Sequence, residues 1–195
     1  MGRRLRIDLG RRSINVIFVR EKVNFKFFPR KFRINAKKEY NFLTKLHEAN
    51  VNVPKPISHI SLSNSSIVIR EFIDGVFFQD AIKRYHPDAI KRLLINVITE
   101  LRKIEDIGIY LPEVASVYKN IIVDGEEPYI IDLERASFTK KLIIPPFLSR
   151  IWRLCSNPEI RKKLEKILEI EKILSVAKKY KTNRDLNMIL EIFKR

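Results

Sequence analysis

The hydrophobic pattern of the chain changes period near its middle. Before residue 74 the apolar positions come in short runs, Leu5 to Leu9, Asn15 to Val19 and Val23 to Phe28, separated by Arg11-Arg12-Ser13 and Arg20-Glu21-Lys22. Runs of β-branched and aromatic residues between polar turns predict an antiparallel meander. One helix interrupts it, from Ala36 to Glu48, where Tyr40, Leu43 and Leu46 recur at three-residue spacing among polar residues and Asn50 ends the run. Val51 to Pro56 is extended, because each of its two prolines restricts the residue before it. Ile57 to Leu62 and Ile67 to Phe72 then flank Ser63-Asn64-Ser65-Ser66, a hairpin signature.

After Asp74-Gly75 the period becomes helical. Ile90, Leu93, Leu94, Val97, Ile98, Leu101 and Ile104 mark a helix from Asp88 to Asp106, with Pro87 placed for its first turn and Gly108 just past its end. A short hairpin follows, Ile121 to Val123 and Tyr129 to Ile131, around Asp124-Gly125. The remainder reads as Phe147 to Leu154, a long helix from Pro158 capped by Asn157, and a last helix from Arg184 to Phe193. A strand-rich half joined to a helical half is an α+β chain.

Composition narrows the classes. The 195 residues carry a formal charge of +16, are 45% hydrophobic and include only 5 glycines, which excludes acidic, disordered and collagen-like chains. Cys155 is the only cysteine, so an internal disulfide or a multi-cysteine zinc site is excluded and a reducing, cytoplasmic setting is expected. The charged start, and Arg6 where a myristoylation motif needs Ser or Thr, predict neither a signal peptide nor a membrane anchor. His47, His59 and His86 are scattered, without ligand spacing for a transition metal. The basic excess admits two readings, an RNA or ribosomal partner or the charged surface common in heat-adapted proteins.

Two pairs of residues suggest chemistry. Asn120 precedes the first strand of the short hairpin and Asp132 follows the second, so closing the turn brings an amide and a carboxylate to one open end, roughly 5 Å apart. Oxygen ligands of that kind suit Mg²⁺ beside phosphate; the alternative is that both simply terminate strands by bonding nearby backbone. In Val23-Asn24-Phe25-Lys26-Phe27-Phe28, alternation places Asn24, Lys26 and Phe28 on one face. A buried Lys26 needs a counter-charge, and Glu39 on the following helix is the nearest well-placed carboxylate; otherwise Lys26 snorkels from an edge and Glu39 is solvated.

The order Lys26 on a third strand, Glu39 on a helix, Arg70-Glu71-Phe72-Ile73-Asp74-Gly75 as a hinge, Asn120 before a hairpin and Ile131-Asp132-Leu133-Glu134 after it resembles protein kinases. Ile130-Ile131-Asp132-Leu133-Glu134-Arg135-Ala136-Ser137 is similar to a stretch of the short archaeal serine/threonine kinases, which are related to RIO, KEOPS-complex and lipopolysaccharide-core kinases. The resemblance covers residues 5 to 140. It implies a bilobal fold, residues 1–73 forming an N-lobe of antiparallel sheet plus one helix and 74–195 a mainly helical C-lobe. It also implies ATP with Mg²⁺ or Mn²⁺: Lys26 on the α- and β-phosphates, Glu39 fixing Lys26, backbone of Glu71 and Ile73 at the adenine edge, and Asn120 and Asp132 on the metal. Gly10 and Ser13 fall in the phosphate-covering loop.

This sequence departs from the pattern in two places. The covering loop keeps only Gly10, with Arg11, Arg12 and Ser13 where flexible glycines would let backbone amides approach phosphate; the arginines either meet phosphate with their side chains or keep the loop away from it. The expected catalytic Asp, five residues before Asn120, is Ala115. Glu113 is the only carboxylate between Asp106 and Asn120 and is the candidate to orient a substrate hydroxyl; its alternative is a surface loop residue. Lys119 is placed to offset charge on the transferring phosphate. About a dozen residues separate Asp132 from Pro145-Pro146, little platform for a peptide. The expected activity is γ-phosphate transfer to Ser or Thr of a protein substrate or of the chain itself. The rivals are a catalytically impaired pseudokinase and a basic RNA-binding module.

Overall fold

The computed structural model describes residues 5–112 and 117–194. Its first part is a five-stranded antiparallel sheet of β1 (Leu5–Leu9), β2 (Ile14–Phe18), β3 (Val23–Pro29), β4 (Pro56–Ser61) and β5 (Ser65–Glu71), in the order β1-β2-β3-β5-β4. Helix α1 (Arg33–Glu48) lies between β3 and β4 in sequence and packs on β3, β4 and β5. It starts three residues earlier than the periodicity predicts, because a single turn of tighter helix at Arg30–Phe32 leads straight into it.

Burial in β3 and β5 follows the two-residue alternation strictly. In β3 the buried positions are Asn24, Lys26 and Phe28, and in β5 they are Ser66, Val68 and Arg70. Only Phe28 and Val68 of this buried face join Ala36 of α1 in a small apolar cluster. The other inward positions of β3 and β5 are polar or charged, and Ile17 of β2 is the further buried apolar side chain on that face, so much of the covered face is a site rather than a core. Phe42, Leu43 and Leu46, also on α1, instead join the large apolar cluster of the second part, together with Val51 and Val53. The helix that backs the sheet is thereby anchored in the other core.

That second core is organised by α3 (Pro87–Asp106), whose Ile90, Leu93, Leu94, Val97, Ile98, Leu101 and Ile104 are all buried. Against it pack α2 (Phe78–Arg84), α5 (Ile144–Leu154), α6 (Pro158–Leu164), α7 (Ile173–Asn183) and α8 (Leu186–Leu190). Phe78 and Phe147 meet edge to face at 6.1 Å. Between α2 and α5 run β7 (Ile109–Tyr110), the short helix α4 (Val117–Asn120), the hairpin β8 (Ile121–Asp124) and β9 (Glu127–Ile130), and β10 (Ser137–Phe138). Two residues, β6 (Val76–Phe77), pair with β8. Glu105, buried on α3, accepts the backbone N–H groups of Ile143 and Ile144 at the head of α5 and the hydroxyl of Tyr180 on α7.

The long helix expected from Pro158 is not continuous. It ends at Leu164, and the chain turns so that Leu168 bridges Phe193 while Glu169 N–H reaches the Ile192 carbonyl. Ile167, Leu168 and Ile170 are all buried in the turned segment, where they join the helical core. The last helix is also shorter than expected. Arg184 takes a left-handed backbone (φ 54°) that closes α7, and Asp185 caps the next helix by accepting the N–H of Asn187.

Gly75 fixes how the connection between the two parts approaches β8. A Cβ there would lie 2.3 Å from the Val123 carbonyl oxygen and 2.8 Å from Ile122 Cγ2. Backbone cannot yield as a side chain would, so Gly75→Ala is expected to lower unfolding stability by about 1–3 kcal/mol in urea titration. Gly125→Ala, with open space around its Cβ but φ +62°, should cost about 1 kcal/mol through backbone strain alone.

Candidate active site

Lys26 stands mid-strand, opposite Asn15 on β2 and Val68 on β5, and its side chain enters the covered face at 4% exposure. An ammonium so buried requires compensation. Its Nζ lies 2.6 Å from Glu39 Oε2, 3.0 Å from Glu134 Oε1 and 3.3 Å from Asp132 Oδ1. Glu39 is wholly buried on α1, and its other oxygen is 3.3 Å from Arg70 Nη1. Burial works against the charge on Lys26, Glu39 and Asp132 favour it, Arg70 opposes and Glu134 adds support, so its pKa ends above the ordinary 10.5. Lys26 is a fixed cation at any neutral pH.

The two acids come from the segment after β9. Ile131 N–H donates to the Asn120 carbonyl at 3.0 Å, extending the hairpin ladder by one rung. The residue opposite Asn120 is therefore Ile131, and Asp132 lies one position farther on than an Asn120–Asp132 pairing would have it. The cause is the turn: Asp124 pairs with Glu127 across Gly125-Glu126, a two-residue connection that sets the register. Asp132 then adopts φ 64°, a conformation Asp tolerates better than most residues, and leaves the strand. Its side chain is 42% exposed, whereas Glu134 is 8% exposed and also approaches Asn35 Nδ2 at 3.3 Å and Arg12 Nη1 at 3.6 Å.

The β1–β2 turn closes over this group. Gly10 N–H donates to the Ser13 carbonyl at 2.9 Å, and a Cβ on Gly10 would press to 3.0 Å on that same oxygen. Ser13 is buried. Gly10, Arg11, Arg12 and Ser13 line a cavity of about 350 Å³ together with Lys26, Arg70, Lys119, Asn120, Asp132 and Glu134. An adjoining cleft of about 220 Å³ shares Asn15, Arg70, Lys119 and Ile131 and adds Glu71, Phe72, Ile73 and Phe77. Glu71 is held there by Lys55, its N–H donating to the Lys55 carbonyl and its carboxylate accepting the Lys55 N–H.

The sequence-derived candidates Gly10, Ser13, Lys26, Glu39, Glu71, Ile73, Lys119, Asn120 and Asp132 thus all lie at one pair of joined cavities or directly behind it. Glu113 and Ala115 lie outside the described residues. Two participants escaped the sequence reading of roles. Glu134 completes a triad with Glu39 and Asp132, whose nearest carboxylate oxygens fall within 4.8 Å of one another. Arg70, buried where both cavities meet, is in the sequence reading only the first residue of the hinge, with no part in the site. Its Nε has no hydrogen-bond partner, and neither does Oδ1 of Asn24, which sits opposite Arg70 in the ladder.

Carboxylate and amide oxygens are hard ligands, and Asp132, Glu134 and Asn120 make a set suited to Mg²⁺ or Mn²⁺. The five cations Arg11, Arg12, Lys26, Arg70 and Lys119 around the same cavity suit a polyanion.

The fold has solved counterparts. WbdD in a co-crystal with a kinase inhibitor superposes with a TM-score of 0.59 at 16% identity, over 88% of this chain and 44% of that one. Titin's autoinhibited serine kinase domain gives 0.59 at 15% identity, over 95% of this chain and 71% of that one. The PK-1 kinase of Cydia pomonella granulovirus gives 0.55 at 16% identity, over 69% and 54%. The chain spans about half the length or less of the WbdD chains. These likenesses establish a protein kinase-like fold, α+β with an antiparallel first sheet. A search of the curated proteins gave no significant match. Among the described residues no helix is long and apolar enough to cross a membrane. The RIO domain family model matches residues 19–150, two thirds of the chain, and with the kinase-like fold and the Lys26–Glu39–Asp132 cluster behind it, this match makes the chain a member of the RIO domain family of atypical protein kinases.

Proposed function

We propose that the chain transfers the γ-phosphate of ATP, with Mg²⁺ or Mn²⁺, to a Ser or Thr hydroxyl of a protein or of itself. The observation that carries the reading is the meeting of Lys26 with Glu39, Asp132 and Glu134 beneath an arginine-bearing turn. Phosphoryl transfer asks little covalent chemistry of a protein; it asks for charge neutralised and atoms held in line. Glu39 fixes the Lys26 amine, which is then presented to the α- and β-phosphates. Asp132, with Asn120 and Glu134, would hold the metal, which would supply positive charge against the phosphates. Arg11 and Arg12 supply from side chains what glycine-rich loops supply from backbone amides. Glu113 orients the attacking hydroxyl, and Lys119 offsets charge on the moving phosphate.

The preference for adenine is supported by the joined cleft. Beside Glu71 and Ile73, Asn24 Oδ1 is a buried acceptor and Arg70 Nε a buried donor, each lacking a partner. An adenine edge offers the matching amino donor and N7 acceptor, whereas guanine turns a second acceptor toward Asn24. ATP is therefore expected to raise the melting temperature in the presence of Mg²⁺ at concentrations about tenfold below those GTP needs. Equal potency would remove the role given to Asn24 and Arg70.

Transfer of label from γ-labelled ATP tests the reaction itself. Asp132→Ala is expected to abolish both label transfer and the metal-dependent part of the thermal shift. Glu113→Gln should lower transfer by about 10²–10⁴-fold while leaving the thermal shift intact. A wild-type chain that binds nucleotide yet never transfers or hydrolyses it is the pseudokinase, and salt-sensitive RNA binding without any nucleotide shift is the binding module.

The Lys26 cluster also has a pH signature. The folded pKa lies above the unfolded 10.5, so the ammonium contributes fully below pH 10.5 and less as pH rises through the folded value. Lys26→Met leaves buried carboxylates uncompensated and should cost about 3–5 kcal/mol near neutral pH. In urea titrations the gap between wild type and Lys26→Met should hold steady to pH 10.5 and shrink above it; a gap that widens there contradicts the arrangement.

A further inference from the structure

The open face of the five-stranded sheet is apolar. Its middle row runs Ile7–Val16–Phe25–Ile69 across four strands in register, and the rows that begin at Leu5 and Leu9 continue through aliphatic and aromatic residues alike. Glu71, at the end of one row, is the single charged side chain among these ladder positions on β1, β2, β3 and β5. None of the row residues is buried: Leu5 is 53% exposed, Ile7 57% and Leu9 81%. An ordinary half-covered sheet is apolar inward and polar outward; here the covered face mixes Asn24, Lys26 and Arg70 with Ile17, Phe28 and Val68, while the open face is hydrocarbon in nearly every ladder position.

We propose that this face is the contact between two copies of the chain, stacked sheet on sheet about a two-fold axis. Three observations select a second copy. The face is large enough: five strands by three rows measure roughly 24 Å by 20 Å. Two such faces cover about 960 Å² in projection, and more over their contoured side chains, close to the roughly 1,000 Å² that a specific interface needs. The face is also uncharged over nearly all of its extent, so it meets its own image without stranding a charge in the contact. The basic residues Arg11, Arg20, Lys22 and Arg30 sit on turns and strand ends at its rim, outside the contact. An anionic partner would need cations within the face, and it has none. Stacked sheets lie about 10 Å apart with strands near 30°, which lets alternate side chains interdigitate and keeps the rims from direct opposition. The cleft opens on the other side of the sheet, so both copies keep it accessible.

Sedimentation equilibrium of the 195-residue chain tests this without reference to catalysis. Twice the chain mass is expected at micromolar concentration, with tighter association as salt rises, because screening relieves rim repulsion while apolar contact is retained. The double substitution Ile7→Lys, Phe25→Lys should return the single-chain mass with an unchanged circular dichroism spectrum, since both side chains point to solvent in the isolated chain. Should that variant fail to fold, Leu9→Ser, at the most exposed of the row positions, should still weaken association at least tenfold. A single-chain mass at about 100 µM, or a dimer indifferent to both variants, overturns the proposal. So does a monomer whose binding to phosphatidylserine vesicles is lost in the lysine variant, which would make the face a membrane contact.

Discussion

A cation buried in a sheet has to be answered, and in this chain the answer determines the architecture. Lys26 can sit at 4% exposure only because carboxylates arrive from two separate directions, Glu39 from the helix behind the sheet and Asp132 and Glu134 from the segment beyond the hairpin. These partners come from α1 and from the segment after the hairpin, so the sheet, α1 and the hairpin are bound by one electrostatic requirement. Such clusters are a poor way to gain stability, since well-packed hydrocarbon of the same volume does as well or better. What they supply is position: an amine held at a fixed point, fully charged, at the wall of a cavity.

The same requirement explains why the sheet is inside out. Strand alternation offers two faces, and the one turned toward α1 and the hairpin carries Asn24, Lys26, Ser66 and Arg70 beside the apolar Ile17, Phe28 and Val68. The hydrocarbon that a sheet of this size needs for β-propensity is left to the opposite face. Stability of the covered side then rests on α1, whose Phe42, Leu43 and Leu46 are locked in the helical core rather than in the sheet. Polar chemistry within the cleft and apolar exposure outside it are two consequences of one alternating pattern.

How much of this could be read beforehand depended on the range of the interaction. Period-two and period-3.6 patterns are local, and they gave β1, the Lys26 face and the α3 stripe to within a residue or so. Lys26 and Glu39 are 13 residues apart on adjoining elements, near enough for alternation and helix phase to bring them together. The register of Asn120 against Ile131 was missed because it is set by the choice of two-residue turn at Gly125-Glu126, and that sequence also permits a longer loop. Glu134 was invisible as a participant because its partners, Lys26, Asn35 and Arg12, are about a hundred residues away in sequence. The break after Leu164 had no glycine or proline to mark it; its cause is the Leu168–Phe193 bridge, a tertiary contact.

The turn over the cavity shows how a departure from a family pattern can be chemically coherent. A glycine-rich loop binds phosphate through backbone amides and must stay flexible to approach it. Here Gly10 is closed against Ser13 by a hydrogen bond, and the loop offers guanidinium groups instead, one of them within 3.6 Å of Glu134. That half-exposed contact is long enough to be weak in solvent. A triphosphate carries more charge than a single carboxylate and presents several oxygens to the same fork. Arg12, on the lining of the same cavity as Lys26 and Asp132, is therefore placed to prefer phosphate oxygens over its long contact with Glu134, which Lys26 and Asn35 hold independently.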